Sequence, residues 1–428
     1  MNPLRQKIEQ EIRESGPISF SRYMELCLYD AELGYYSRNA EQFGKAGDFY
    51  TSSDVHKVFG RLLARQFEEM WCALGSPERI ELIELGPGRG LFAQDVLDWS
   101  EKKFPDFFRA LHYVLVERSP ALRERIKETL RDRLESGKTS LTDTLPLEIS
   151  ETSWPMSAAK ARENAVHGAS RGLAGSVSCQ VPDERNRTSC NEASPSNIPT
   201  IIFANEFFDA LPVEVLSAQG SLRIDTHNGH FIETWAAPSP EELDFLDHYS
   251  IHPDAEEKER VEAPLVAQQF MNRITTSIQR GFLIAIDYGY TREEQLAGRH
   301  RETLKAIRKH SISENPYEAP GEQDITADVN FTALAAAAEK QDMQTHKLLT
   351  QSQFLMGIGE ANQFADAFEE CRLPQERAKV ALQLKHLVTP AGMGESFQVL
   401  VASKGVEQER IESLSGLSFG CRANRGLN

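Results

Sequence analysis

The sequence predicts an α/β fold, a doubly wound and mostly parallel sheet with helices on both faces, and three observations carry that prediction. Short apolar runs recur at residues 80–85, 113–116, 200–204 and 282–286, each followed by a turn or a helical pattern. Runs without polar alternation are characteristic of strands buried on both faces. The glycine-rich turn Gly86-Pro87-Gly88-Arg89-Gly90 joins the first run to an apolar-periodic stretch over 91–99, giving the strand–turn–helix order of a Rossmann-like unit.

Taken in order, residues 1–74 predict a helical N-terminal cap. Stretches 4–14, 19–28 and 58–74 carry apolar residues at helical spacing. Between them the segment 43–54 crowds glycines, aromatics and small hydroxyls too densely for an ordinary linker. Residues 75–405 form the predicted core, in which runs 345–350 and 396–403 extend the sheet to a mixed or hairpin-like edge.

Two insertions interrupt this core. Residues 155–197 are rich in Ser, Asn, Arg and Ala without periodicity and read as a variable, disordered loop. Residues 212–275 begin with alternating strands around Asn228-Gly229, a strong two-residue hairpin signal, and read as an inserted β-hairpin and helical substrate subdomain. Residues 406–428 remain as a C-terminal tail.

Composition excludes several classes. Lys and Arg number 47 against 64 Asp and Glu, and the resulting charge of −17 opposes nucleic-acid phosphates. No apolar run approaches the roughly 20 residues of a membrane-spanning helix. The six cysteines are scattered without a Cys-x-x-Cys pair, so no metal site is expected. The acidic opening segment lacks the character of a secretion signal or a presequence, which predicts a cytoplasmic location. Self-association into a homodimer is compatible with all of this.

The glycine turn implies a ligand approaching backbone N–H groups at a helix start. A dinucleotide fingerprint requires glycine at position 91, where Leu91 stands; the spacing is G-x-G-x-G through Gly86, Gly88 and Gly90, with Pro87 between. Glu84, at the strand end, would repel a pyrophosphate and attract the ammonium and sulfonium of S-adenosyl-L-methionine (SAM). Glu117 ends the second run, where an acid accepts hydrogen bonds from ribose hydroxyls. An NAD- or FAD-dependent oxidoreductase fits these residues less well.

After the third run comes Asn205-Glu206-Phe207-Phe208-Asp209-Ala210-Leu211-Pro212, polar and aromatic residues where this architecture places ligands. If a helical turn starts near Glu206, then Glu206 and Asp209 share a face and jointly hold one cation; helix capping is the alternative. Guanidinium has a pKa above ~12, so carboxylates accepting its N–H bonds orient one nitrogen for in-line attack. Asn205, Glu206 and Asp209 are the catalytic candidates. His310 suits a general base or a solvent-facing role.

These segments, together with Gly47-Asp48-Phe49-Tyr50-Thr51-Ser52, Ile286-Asp287-Tyr288-Gly289 and Gly321-Glu322-Gln323-Asp324-Ile325-Thr326, resemble in order the MidA family over nearly the whole chain. That family comprises mitochondrial complex I assembly-factor arginine methyltransferases and their bacterial relatives. The resemblance implies a class I SAM-dependent methyltransferase sheet and symmetric dimethylation of an arginine on a protein, in mitochondrial members a complex I subunit. It also implies that Asp48, Tyr50, Thr51 and Ser52 fold over the cofactor, while Asp287 lines the pocket on the substrate side. An assembly chaperone that binds SAM without turnover is the rival reading. Glu302 stands where the family usually has glycine, and Ile307 where it usually has an aromatic.

Overall fold

Alternation along each central strand sends apolar side chains to both faces of one sheet. Strands β1 (Ile80–Leu85), β2 (Leu111–Val116), β3 (Thr139–Thr142), β4 (Thr200–Asn205), β5 (Gly281–Tyr290) and β6 (Phe397–Lys404) form its body. Ile80 and Leu82 of β1 enter one buried core, Ile83 and Leu85 the other. Such double burial fills four of the six β1 positions with Ile and Leu, which is why β1 was readable as a strand despite Glu81 and Glu84. The computed structural model describes residues 2–37, 57–145, 198–254, 259–308, 311–313 and 315–419.

The strands lie in the order β6-β5-β4-β1-β2-β3, and a two-residue strand, Gln344–Thr345, edges β6. β1 pairs in parallel with both β2 and β4, while β6 runs antiparallel to β5. The chain winds outward from β1 to β3, then returns to β4 on the other side of β1. That reversal opens a crevice beyond the carboxyl ends of β1 and β4, the place where open α/β sheets take ligands. The doubly wound α/β expectation and its mixed edge agree with this sheet. Strand β3 was not anticipated: its residues are mostly half-buried and polar, so they give no apolar run.

Helices α1 (Pro3–Ser15) and α2 (Phe20–Tyr29) bury Leu4, Ile8, Phe20 and Tyr23 against the inserted sheet. Between them Ile18–Ser19 pairs with Gly220–His227, a strand of that sheet. Helices α3 (Lys57–Ala73) and α4 (Leu91–Lys103) instead cover one face of the main sheet. Helices α5 (Leu265–Ser277) and α6 (Phe331–Glu339) cover the other. The anticipated hairpin forms with Asn228 and Gly229 at φ 50° and 75°, the positive pair that a type I′ turn needs. A small antiparallel sheet of Lys305–Arg308, Ser311–Ser313 and Asp324–Thr326 was not read from the sequence. After β6, Ile411 and Leu414 are buried in the main core. The 155–197 loop lies outside the described residues.

Candidate methyl-donor and acceptor pocket

The crevice at the reversal is a cavity of about 520 Å³, and it draws residues from six regions of the chain. From the β1 turn come Glu84, Gly86, Pro87, Gly88 and Arg89, and from the end of β2 come Glu117, Arg118 and Ser119. Asn205, Glu206, Phe207 and Asp209 follow β4; Tyr288 lies on β5; Lys305, Asp324 and Asp328 come from and beside the small sheet. Tyr29 of α2 and Tyr36 complete the polar and aromatic lining. Among the described lining residues, the acids Glu25, Glu84, Glu117, Glu206, Asp209, Asp324 and Asp328 outnumber the bases Arg89, Arg118 and Lys305. A cavity so lined favours cations.

The glycine turn explains how a ligand reaches the backbone. Gly86, Gly88 and Gly90 have φ of 63°, 55° and 76°, conformations that side chains with a Cβ rarely adopt. A Cβ at Gly86 would stand 3.1 Å from the Phe207 ring. Gly90 begins α4, and a Cβ there would face Leu130 and Ile126. It shapes the turn and is not among the residues lining the cavity.

Glu84 is buried and accepts a hydrogen bond from the Tyr113 hydroxyl at 2.8 Å. Burial pushes its carboxyl up to about 8, against the pull of Tyr113 and with repulsion from Glu117. Glu117 accepts the Ser119 N–H at 2.8 Å and is pushed up to about 7, again mainly by burial. Two buried acids without a full counter-charge at strand ends are costly in themselves, a cost that a cationic ligand relieves.

No helical turn follows β4. Glu206 stands at φ 49°, and three successive N–H groups, of Phe207, Phe208 and Asp209, converge on one oxygen of Asp287 at 3.1, 2.9 and 3.3 Å. The other Asp287 oxygen accepts the Tyr288 N–H at 3.0 Å. Glu206 and Asp209 therefore both reach the cavity by an anchored loop, and the i, i+3 helical reading is corrected. Asp287 is fully buried behind this loop and does not line the cavity, which corrects its expected place on the substrate side. Asn205 donates to Glu206 at 3.1 Å. Burial and the proximity of Asp328 push Asp209 up to about 7, opposed by the Ala210 N–H and Lys305. Asp48, Tyr50, Thr51, Ser52 and His310 lie outside the described residues.

Truncating Asp287 to alanine strands these N–H groups in a buried loop. Each unsatisfied group costs about 1–3 kcal/mol, so Asp287→Ala is expected to lose about 3 kcal/mol or more of stability in urea denaturation. A midpoint equal to that of the unchanged protein would show that the anchor is dispensable.

Residues 62–349 match the model of a family described as "Putative S-adenosyl-L-methionine-dependent methyltransferase". The chain belongs to this family, MidA. This MidA member is 26% identical to the protein arginine methyltransferase NDUFAF7 homolog, mitochondrial, of Drosophila melanogaster, over 97% of this chain and 88% of the relative. It is 27% identical to the Danio rerio protein arginine methyltransferase NDUFAF7, mitochondrial, over 95% and 88%, and 26% identical to the Homo sapiens one, over 93% and 82%. A protein from Burkholderia thailandensis bound to S-adenosyl-homocysteine shares the fold, with a TM-score of 0.71, 24% identity and coverage of 94% and 92%.

The MidA chain is thus an α/β SAM-dependent methyltransferase, and the oxidoreductase reading is set aside. The expected cytoplasmic location is overturned by relatives that are named mitochondrial. The acidic opening residues on which that expectation stood form α1, whose Leu4, Ile8 and Ile12 are buried. Sequence reasoning assigned no role to Tyr29, Tyr36, Lys305 or Asp328. Asp324 appeared only inside a family motif.

Proposed function

We propose that this MidA chain methylates an arginine side chain of a protein, with symmetric dimethylarginine as its product and a respiratory complex I subunit as the acceptor its family motifs imply. The observation that carries this reading is one cavity lined both by Glu84 and Glu117 at the ends of β1 and β2 and by Glu206 and Asp209 after β4, acids enough for a donor cation and an acceptor cation. The relatives named as protein arginine methyltransferases support it.

Bound SAM supplies an electrophilic methyl group on a sulfonium. In this reading the donor lies against the open backbone of the turn Gly86-Pro87-Gly88, Glu84 takes its positive end, and Glu117 takes its ribose hydroxyls. Gly86 and Gly88 fit that role because both take positive φ, 63° and 55°, and at Gly86 a Cβ would crowd the Phe207 ring. Glu206 and Asp209 hold the guanidinium, and Asn205 steadies Glu206. The carboxylates polarise and orient the acceptor nitrogen, so positioning and electrostatics supply most of the rate.

The test is label transfer. The protein incubated with tritiated SAM and a mitochondrial extract is expected to label a protein band that yields symmetric dimethylarginine on hydrolysis. Measured SAM binding with no labelled protein would favour the non-catalytic chaperone instead.

Donor binding is also expected to depend on pH. Glu84 and Glu117 titrate near 8 and 7 in the folded chain, above the ordinary 4.5. Between about 4.5 and 8 the folded state therefore holds more protons than the unfolded one, and the ligand-free protein loses stability as pH rises. SAM binds the ionised form and expels the proton. Its affinity should rise by up to about tenfold per pH unit from pH 6 to 8 for one proton released. Calorimetry in buffers of different ionisation enthalpy reads that proton; a pH-independent affinity would remove Glu84 from the donor's contacts.

A further inference from the structure

Part of the cavity wall comes from outside the glycine turn and the loop after β4, and its contacts form a closed circuit. The Tyr29 hydroxyl donates to the Ala210 carbonyl at 2.8 Å. The Tyr29 and Tyr36 rings stack with centroids 5.5 Å apart and planes at 27°. The Tyr36 hydroxyl donates to Asp324 Oδ1 at 2.9 Å. The Ala327 N–H, just past Asp324–Thr326, donates to the Asp209 carbonyl at 3.0 Å. Asp324, buried, and Asp209, half-buried, are far apart in sequence and are thereby brought into one wall of one cavity.

The chemistry of this wall differs from that of its neighbours. Asp328 is bound to the Lys305 ammonium at 2.9 Å and lies 3.2 Å from the His300 ring, so its charge already has a cationic partner in Lys305. Asp324 accepts from the neutral phenol of Tyr36. Burial and the nearby Asp324 and Asp209 raise the hydroxyls of Tyr29 and Tyr36 well above their ordinary range, so both stay protonated donors. The aromatic stack already carries a guanidinium, with Arg118 over the Tyr29 ring at 5.9 Å.

A guanidinium is planar and offers five N–H donors in a fixed fork, whereas an ammonium is a compact point charge that one carboxylate can satisfy. Two carboxylates held on one wall, with flat rings beside them, match the planar cation. We propose that Asp324 is a specificity-determining residue that, with Asp209, selects an arginine side chain over a lysine, and that Tyr36 is the residue that positions it. The proposal rests on the arginine reading above.

The experiment uses the full chain saturated with S-adenosyl-homocysteine and titrated with N-acetyl-arginine methylamide or its lysine counterpart, followed by ligand-observed NMR. The unchanged protein should bind the arginine amide about tenfold or more tighter. Asp324→Asn should reduce that preference to within about twofold while S-adenosyl-homocysteine affinity holds, and Asp324→Glu should restore part of it. Tyr36→Phe removes a hydrogen bond to the ionised carboxylate, so its preference should fade at a higher pH than in the unchanged protein. Should Asp324→Asn fail to fold, Tyr36→Phe decides: an unaltered preference and pH profile overturns the proposal. A preference fully retained in Asp324→Asn overturns it too and leaves the arginine reading standing. Equal binding of both amides by the unchanged protein removes that reading and the proposal together.

Discussion

Gly88→Val is expected to abolish SAM binding while leaving the sheet folded. Gly88 stands at φ 55° in the turn beyond β1 and lines the cavity. A β-branched residue is among the worst occupants of that backbone region, and its side chain would occupy space left for the ligand. The Gly88 N–H also holds the Glu117 carboxylate, so a displaced turn would loosen the second acid at the donor end. We expect at least a 100-fold loss of affinity, about 2.7 kcal/mol, in calorimetric titration. Gly88→Ala, which adds a single methyl, should lose less. SAM affinity unchanged in the valine variant, with the circular dichroism of the native sheet, would place the donor elsewhere.

The turn was legible because its chemistry is local. Three glycines between an apolar run and a helical run specify a backbone shape within seven residues, and Leu91 at the dinucleotide position separates one cofactor class from another. The hairpin at Asn228-Gly229 was legible for the same reason. What the sequence could not disclose depends on long-range contact. Glu206 and Asp209 suggested a helical turn by spacing, but Glu206 takes a positive φ of 49°, and the loop after it is shaped by Asp287, a residue of another strand. Tyr29 sits in an amphipathic helix where an aromatic reads as core packing; only the folded chain shows its hydroxyl turned to Ala210 at the cavity. The small sheet that brings Asp324 in is made of three- and four-residue strands with mixed burial, too short for a periodic signal.

Asp209→Asn is expected to separate catalysis from donor binding. The substitution keeps the size of the side chain and its place in the Asp287-anchored loop, and removes a charge from the acceptor region. SAM affinity should therefore stay within about twofold, because Glu84 and Glu117 lie on different strands and are unaltered. Turnover should fall by about 10³, near 4 kcal/mol of transition-state stabilisation, if the carboxylate orients and balances the guanidinium as proposed. The pH profile gives a second, independent reading. Asp209 titrates near 7 in the folded chain because burial and Asp328 disfavour its charge, so the protonated fraction grows as pH falls below that value. Only the ionised form accepts two guanidinium N–H bonds, so the rate of the unchanged protein should climb with pH through about 7 and then level. The asparagine variant cannot ionise there, and the remaining slow rate should lose the part of the rise that belongs to Asp209. Label-transfer rates measured from pH 6 to 8.5 under saturating SAM would show it. A variant as fast as the unchanged protein, with the same pH profile, would place the acceptor cation on Glu206 and Asp324 and take Asp209 out of the reaction.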